Sequence, residues 1–305
     1  MRQFLELEEE LRGNIPDLEI KTDEPMKEHT SFRIGGPCDL MLLPKTAKAL
    51  RTVLTLLHER QIEPLVFGAG SNVLIPDEGL RRVVIVTRDA LCEMQRSGET
   101  SITAQSGVSM AKLALYAADC GLTGLEFAQG IPGTVGGGVY MNAGAYGGEI
   151  RQTAVRTTVL HMDGTEEVFT GQAQGFRYRG SAFQQLSCVI LETEFSLAPG
   201  EHTKIRETMQ DFAARRRAKQ PLELPSAGSA FKRPEGYFAA ALIEQAGLKG
   251  FRIGGAAVSE KHAGFVVNLG NATAKDVLAV LDAVRERVYA ASGVTLEPEI
   301  RLIRG

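Results

Sequence analysis

The chain has 305 residues, 44% of them apolar and 23% charged, with a formal net charge of −3. That length exceeds one average domain and suits two or three compact units with real cores. The charge balance lacks the basic face of a nucleic-acid binder, and no run of about 18 apolar residues is present to cross a membrane. The cysteines at 38, 92, 120 and 188 show no metal-ligand spacing, and the Glu-rich start resembles no signal peptide. A metal-free protein of the reducing cytosol is therefore expected. Oligomeric state is left open by composition, and a monomer is compatible with it.

Taken in order, Phe4, Leu5, Leu7 and Leu11 predict a short amphipathic helix over 3–12. Glu28 to Pro37 ends in a Gly-Gly-Pro turn, and 38–43 reads as a strand. Thr46 caps a predicted helix to about His58, with Leu50, Val53, Leu54 and Leu57 on one face. Residues 63–67 form a short apolar strand that runs into Gly68; 73–75 stay extended and 82–87 is another strand. Strand 101–105 leads through Gly107 to a helix from Ser109 to about Cys120. Strands 155–162 and 166–170 flank an Asp163-Gly164 turn, and 188–195 is a further strand. Beyond Pro199-Gly200 come helices over 201–219, about 237–246 and 274–292, with strands at 251–253, 256–258, 264–267 and 299–303. Alternating short strands and helices argue for α+β layers.

Glycine is over-represented, at 33 residues of 305, about 11% against a usual share of about 7%. The excess is clustered. Gly68-Ala69-Gly70-Ser71-Asn72 follows an apolar strand, where glycines allow a sharp turn and successive N–H groups form an anion nest. A plain tight turn fits the same residues. No third glycine opens a helix as in a dinucleotide fingerprint, and no Lys-Ser/Thr follows as in a phosphate loop of the nucleotide hydrolases. The stretch Gly130 to Gly138 (GIPGTVGGG) is more unusual, and small residues continue to Glu149. Main chain this bare lets a phosphate-bearing ligand lie against it; a small-residue helix contact is the alternative. Two such loops favour a diphosphate-bearing dinucleotide cofactor.

Three polar clusters follow. Phe176 to Ser181 (FRYRGS) offers Arg179 as a bidentate carboxylate clamp, or as a hairpin-edge cation. Ser226 to Lys232 (SAGSAFK) presents Ser229 in what reads as a tight turn, as a proton donor or simply a turn residue. Glu297 and Glu299 enter the final strand two residues apart, on one face if that strand is regular. Tyr146, Arg216 and Lys219 are further candidate ligand contacts, whereas the histidines at 29, 58, 161, 202 and 262 form no cluster.

Together the motifs resemble the UDP-N-acetylenolpyruvoylglucosamine reductase family over nearly the whole chain. The ordered set is TSFRIGGP (30–37), GAGSNVL (68–74), GIPGTVGG (130–137), NAGAYGGE (142–149), FRYRGS (176–181), AGSAFK (227–232) and LEPEIR (296–301). The resemblance implies a two-subdomain FAD-binding unit of the vanillyl-alcohol-oxidase type plus a C-terminal α+β substrate domain. The implied bounds are a helical segment over 1–21, the FAD domain over 22–198 (subdomains about 22–88 and 89–198) and the substrate domain over 199–305. The short spacing between FRYRGS and AGSAFK is similar to the branch without an inserted loop over the substrate. The implied activity is NADPH-dependent reduction of an enolpyruvyl sugar nucleotide during peptidoglycan precursor synthesis. By the same resemblance, non-covalent FAD lies on Arg33, Gly68, Ala69, Gly70, Ser71, Asn72, Gln129, Gly130, Ile131, Pro132, Gly133, Thr134, Val135 and Gly136. Ser229 is the implied general acid, with Arg179 and a protonated Glu299 as its partners. Tyr146, Arg216, Lys219 and Lys232 are the implied substrate contacts. Arg233 stands where family members often carry Asn.

Overall fold

A computed structural model describes residues 2–304. They pack as two compact units, each drawn from separated stretches of chain. The first holds residues 2–22, Asp39–Ala69 and Arg82–Ala214; the second holds Asp23–Cys38, Gly70–Arg81 and 215–304. Stretches 23–38 and 70–81 thus belong with 215–304 although they lie inside the 22–198 span expected for the flavin domain. The reason is apolar burial: Phe32, Ile34 and Leu74 are core residues of the second unit, packed with Val277, Val280 and Val284.

In the first unit, helix α1 (Arg2–Asn14) buries Leu7 and Leu11 in one cluster with Leu50, Val53, Leu54 and Leu57 of α2 (Ala47–Glu59). The α2 cap is the expected one, with Thr46 Oγ1 accepting the Ala49 N–H at 3.1 Å. Strand Leu65–Phe67 pairs in parallel with Leu80–Val86, Phe67 opposite Val86, and delivers the chain to Gly68. A five-stranded antiparallel sheet follows, in the order Glu166–Thr170, Ala154–His161, Cys188–Ser196, Ser101–Gln105, Met94–Arg96. Helix α3 (Met110–Asp119) starts at the expected Ser109 cap, whose Oγ accepts the Lys112 N–H at 3.2 Å. Within the second glycine loop lies a short helix, α4 (Val135–Tyr140), that the sequence pattern does not announce. Helix α5 (His202–Lys219) runs from the first unit into the second.

The second unit carries α6 (Ala239–Gln245), α7 (Ala274–Ser292) and a four-stranded antiparallel sheet. Its order is Ser226–Ser229, Phe265–Asn268, Ala256–Val258, Arg252–Ile253. Strand Arg301–Leu302 pairs in parallel with Val73–Leu74 and is shorter than the span 299–303 read from the sequence. Strands Glu19–Pro25 and Met94–Arg96 were not expected. Both are edge strands, with mostly exposed or half-exposed side chains, so neither shows the apolar alternation that betrays a buried strand. Among the described residues, no helix is long and apolar enough to cross a membrane.

The start of α7 is tied down twice. Thr273 and Asp276 form a capping box, with Asp276 N–H to Thr273 Oγ1 at 3.0 Å and Thr273 N–H to Asp276 Oδ2 at 3.1 Å. The N–H groups of Thr273 and Gly255 hold the Asp276 carboxyl below its ordinary pKa. A carboxylate depressed in the folded state adds stability above its unfolded pKa of about 3.9, and that contribution disappears as pH falls through the folded value. From the loop 75–79, Asp77 accepts the N–H groups of Ala274 at 2.8 Å and Lys275 at 3.3 Å. Asp77→Ala strips both acceptors from a helix N-terminus and is expected to lower stability by about 1–2 kcal/mol, read as a drop in urea midpoint at unchanged slope. A midpoint equal to the parent's would show that the contact contributes nothing.

Candidate active site

The two glycine loops meet at Gly68 and Thr134. A Cβ on Gly68 would stand 2.3 Å from Thr134 Oγ1, so only glycine lets the end of strand 65–67 approach the second loop this closely. The second loop divides into two halves with different jobs. Its later half is packing: Gly136 donates its N–H to Ser106 O at 2.9 Å, Val135 to Val108 O at 2.8 Å, and a Cβ on Gly138 would meet Met110 Sδ at 2.7 Å. The small-residue helix contact is therefore what 135–138 provides. The earlier half is different. Gly133 adopts φ 152°, and the N–H groups of Gly133 and Thr134 have no acceptor among the described residues. Ile131 N–H is used by Ala128 O, and Gln129 Oε1 is buried with no donor among the described residues. Two adjacent unused amides on bare main chain suit the oxygens of a diphosphate. Gly68 and Ala69 share the first unit with this loop, whereas Gly70, Ser71, Asn72 and Arg33 belong to the second.

Arg179 sits in the first unit on a two-residue turn. Arg177 and Gly180 exchange both backbone hydrogen bonds, at 2.9 and 3.0 Å, and Arg179 takes the left-handed φ of 53°. Its side chain reaches Gly144 O at 3.4 Å and lies over the Tyr178 ring. Residues outside the expected set fix this turn. The buried Asn142 donates to Arg177 O at 3.0 Å and to Glu149 Oε2 at 2.8 Å, and accepts the Arg151 N–H at 2.9 Å. Ser181 Oγ donates to Tyr140 O at 2.8 Å, and Gln184 Nε2 to Arg179 O at 3.2 Å. Asn142 lay within the NAGAYGGE motif, but nothing in its spacing reveals three bonds to two loops. Tyr146 occupies the tip of the hairpin Gly144–Ala145 / Gly148–Glu149, where it and Gly147 both have positive φ, the signature of a tight primed turn. Its ring stacks on Phe212 of α5, centroids 4.6 Å apart, and remains exposed.

In the second unit, Ser229 ends an edge strand and not the tight turn read from its sequence. Ser226 pairs with Val267 and Ser229 with Phe265, so three steps on this strand oppose two on its partner. Gly228 supplies the bulge with φ 77°, a conformation an L side chain resists. The result exposes the Ser229 side chain, and its hydroxyl has no partner among the described residues. The Glu299 segment lies alongside: Glu299 N–H donates to Ala230 O at 2.9 Å and Lys232 N–H to Glu297 O at 2.8 Å. Asn72 of the first glycine loop joins them, its Nδ2 donating to Glu299 O at 3.3 Å while its own carbonyl accepts the Arg301 N–H. Ser229, Glu299 and Asn72 are therefore neighbours within one unit.

The other expected ligand contacts of this unit are cationic. Lys232 Nζ pairs with Glu297 at 2.5 Å, Arg216 Nε donates to Gln220 Oε1 at 3.0 Å, and Lys219 is exposed. Burial pushes the His262 imidazole below its ordinary pKa, and the charges of Lys249 and Lys219 act in the same direction. Arg233 packs its guanidinium 3.8 Å above the Phe238 ring, a site chemically unlike the amide that the family resemblance implies there.

Comparison with known proteins gives two family matches along the chain. A family model described as an FAD binding domain matches residues 38–170. A second, the C-terminal domain of UDP-N-acetylenolpyruvoylglucosamine reductase, matches residues 220–303. The reductase of Syntrophomonas wolfei is 46% identical over 95% of this chain and 96% of its own length. That of Alkaliphilus oremlandii is 45% identical over 95% of each. The crystal structure of the Thermus caldophilus enzyme superimposes with a TM-score of 0.80 at 33% identity, covering 94% of this chain and 99% of that one. The chain thus carries an FAD-binding domain followed by the C-terminal domain of that reductase, and it belongs to the UDP-N-acetylenolpyruvoylglucosamine reductase family.

Proposed function

We propose that this protein reduces the enolpyruvyl group of UDP-N-acetylglucosamine-enolpyruvate to the lactyl ether of UDP-N-acetylmuramate, with NADPH as reductant. The observation that carries the reading is the exposed Ser229 hydroxyl, presented on a bulge beside the Glu299 segment. FAD, held by the glycine loops at 68–72 and 129–136 in this reading, would supply the hydride chemistry that links NADPH to the terminal carbon of the substrate's double bond. The protein's task is then to manage charge and one proton. Negative charge develops at the carbon that bears the substrate carboxylate. Arg179 meets that carboxylate as a cationic fork, and Glu299, holding its proton, donates a hydrogen bond to it. Ser229 gives its hydroxyl proton to the same carbon, which completes the addition of one hydride and one proton across the double bond.

Tyr146, Arg216, Lys219 and Lys232 serve the nucleotide-sugar, the cations toward its diphosphate and carboxylate and Tyr146 with its exposed ring. Residues 22–198 serve the cofactor and 199–305 the substrate in this reading, although stretches 23–38 and 70–81 pack with the latter. In this reading the protein works in the cytosol.

Anaerobic titration checks the reading. Purified protein is expected to be yellow, to bleach on addition of NADPH and to regain its colour on addition of the enolpyruvyl sugar nucleotide. A protein that stays colourless in excess FAD would be a sugar-nucleotide binder without redox function. One that bleaches but is not reoxidised by that substrate would be a different flavin enzyme.

A further inference from the structure

Within the segment Thr30 to Ile34 only Arg33 belongs to the implied cofactor set, yet Ser31 beside it is bonded to both sides of the chemistry within the second unit. Ser31 makes the two contacts that matter. Its N–H donates to Gly70 O, in the first glycine loop, at 3.1 Å. Its Oγ donates to Ser226 O at 2.7 Å, on the strand that ends in Ser229. A single residue therefore spans from a cofactor loop to the proton-donor strand.

The strand needs such a hold. Ser226–Ser229 is the edge of its sheet, with one neighbour only. Its ladder to that neighbour slips between Ser226 and Ser229, so the bulge leaves the position of Ser229 weakly fixed from that side. The Ser31 hydroxyl supplies the missing restraint from outside the sheet. Ser31 itself is rigidly placed. Thr30 Oγ1 donates to Ile34 O at 3.1 Å, the Phe32 ring is fully buried, and Asn268 Nδ2 donates to Phe32 O at 3.1 Å.

We propose that Ser31 is a positioning residue for the second half-reaction: it sets the Ser229 strand in register with the Gly70–Asn72 loop, and so with the flavin that this loop holds. The proposal rests on the reading of Ser229 as proton donor. Removing the hydroxyl frees the strand without touching cofactor or substrate. A misplacement of a fraction of an ångström then slows proton delivery by about tenfold.

The test uses the FAD-loaded enzyme and anaerobic stopped-flow on Ser31→Ala, Ser31→Thr and, as reference, Ser229→Ala. In Ser31→Ala, flavin content and reduction by NADPH should remain within about twofold of the parent, because the Ser31 N–H is kept. Reoxidation at saturating substrate should slow about tenfold with a larger solvent deuterium isotope effect, since proton transfer becomes more limiting. Ser31→Thr, which retains the hydroxyl, should restore most of the rate. The proposal is overturned if Ser31→Ala reoxidises at the parental rate, if both half-reactions slow alike, or if threonine restores nothing. Should Ser31→Ala not fold, Ser31→Cys, with a weak donor of similar size, carries the same readouts. Parental reoxidation in Ser229→Ala would instead remove the proton-donor reading. A blocked Ser229→Ala beside a normal Ser31→Ala would remove only the positioning role.

Discussion

Replacing Ser229 by alanine is expected to split the catalytic cycle in two. The side chain is exposed at the end of a bulged edge strand and holds no partner among the described residues, so its loss costs the fold about 0.5 kcal/mol or less. Flavin loading and reduction by NADPH should be nearly parental. Reoxidation by the enolpyruvyl sugar nucleotide should fall by roughly 10² to 10⁴, the usual contribution of a positioned proton donor. Stopped-flow absorbance of the flavin reads both steps in one experiment, and fast reoxidation in the variant would sink the assignment. The split separates a catalytic role from a structural one, because a damaged fold would impair both halves.

The largest structural effect is expected at Gly70. Its φ is 58°, and a Cβ there would lie 2.2 Å from His29 O and 3.0 Å from Thr30 Cα. Both neighbours are backbone, so no side chain can swing aside. Alanine must push the 29–31 segment away, breaking the Ser31 to Gly70 bond, or distort the glycine loop itself. A cost of about 3 kcal/mol or more follows from left-handed strain together with the displaced backbone. For a protein of this size that corresponds to a Tm lower by roughly 6 °C or more. FAD content on purification should fall with it. Gly147→Ala is the control: its φ is 86° but nothing lies within 4 Å of an added Cβ, so strain alone acts there and the loss should be smaller. Equal melting temperatures for Gly70→Ala and the parent would show that the loop relaxes freely.

Much of this architecture is legible in the chain. Helix starts at Thr46 and Ser109 are announced by their caps, and the strands at 101–105, 154–161 and 188–196 by apolar runs. What stays hidden is set by long-range packing. The glycines at 136 and 138 look like ligand-facing residues, but they are small because Ser106 and Met110 press against them. A local pattern cannot separate these two uses, since both require only the absence of a side chain. The Ser226–Ser229 stretch reads as a turn because Gly228 interrupts it, and only the pairing with 265–268 turns that interruption into a bulge. Asn142 and Ser31 carry no chemical signature at all. Their roles lie in bonds to Arg177 and Ser226, partners 35 and 195 residues away. Ser229, Arg179 and Glu299 stand out only as members of an ordered set of motifs, and the catalytic roles proposed for them rest on that set, for each residue alone fits an ordinary surface position.

The interleaved make-up of the second unit also dictates a schedule for synthesis. Asn72 and Glu299 are 227 residues apart, and the strand at 73–74 waits for its parallel partner at 301–302. At about 5–20 residues per second, the ribosome takes on the order of ten seconds or more to supply that partner. Throughout this interval Phe32, Ile34 and Leu74 have emerged without the α7 residues that will cover them. The nascent chain therefore carries exposed apolar surface long after the stretches around it are complete, which makes 23–38 and 70–81 the natural places for a chaperone to engage. The same topology means that 215–304 expressed alone would lack part of its own core and would behave as a fragment, not as a domain.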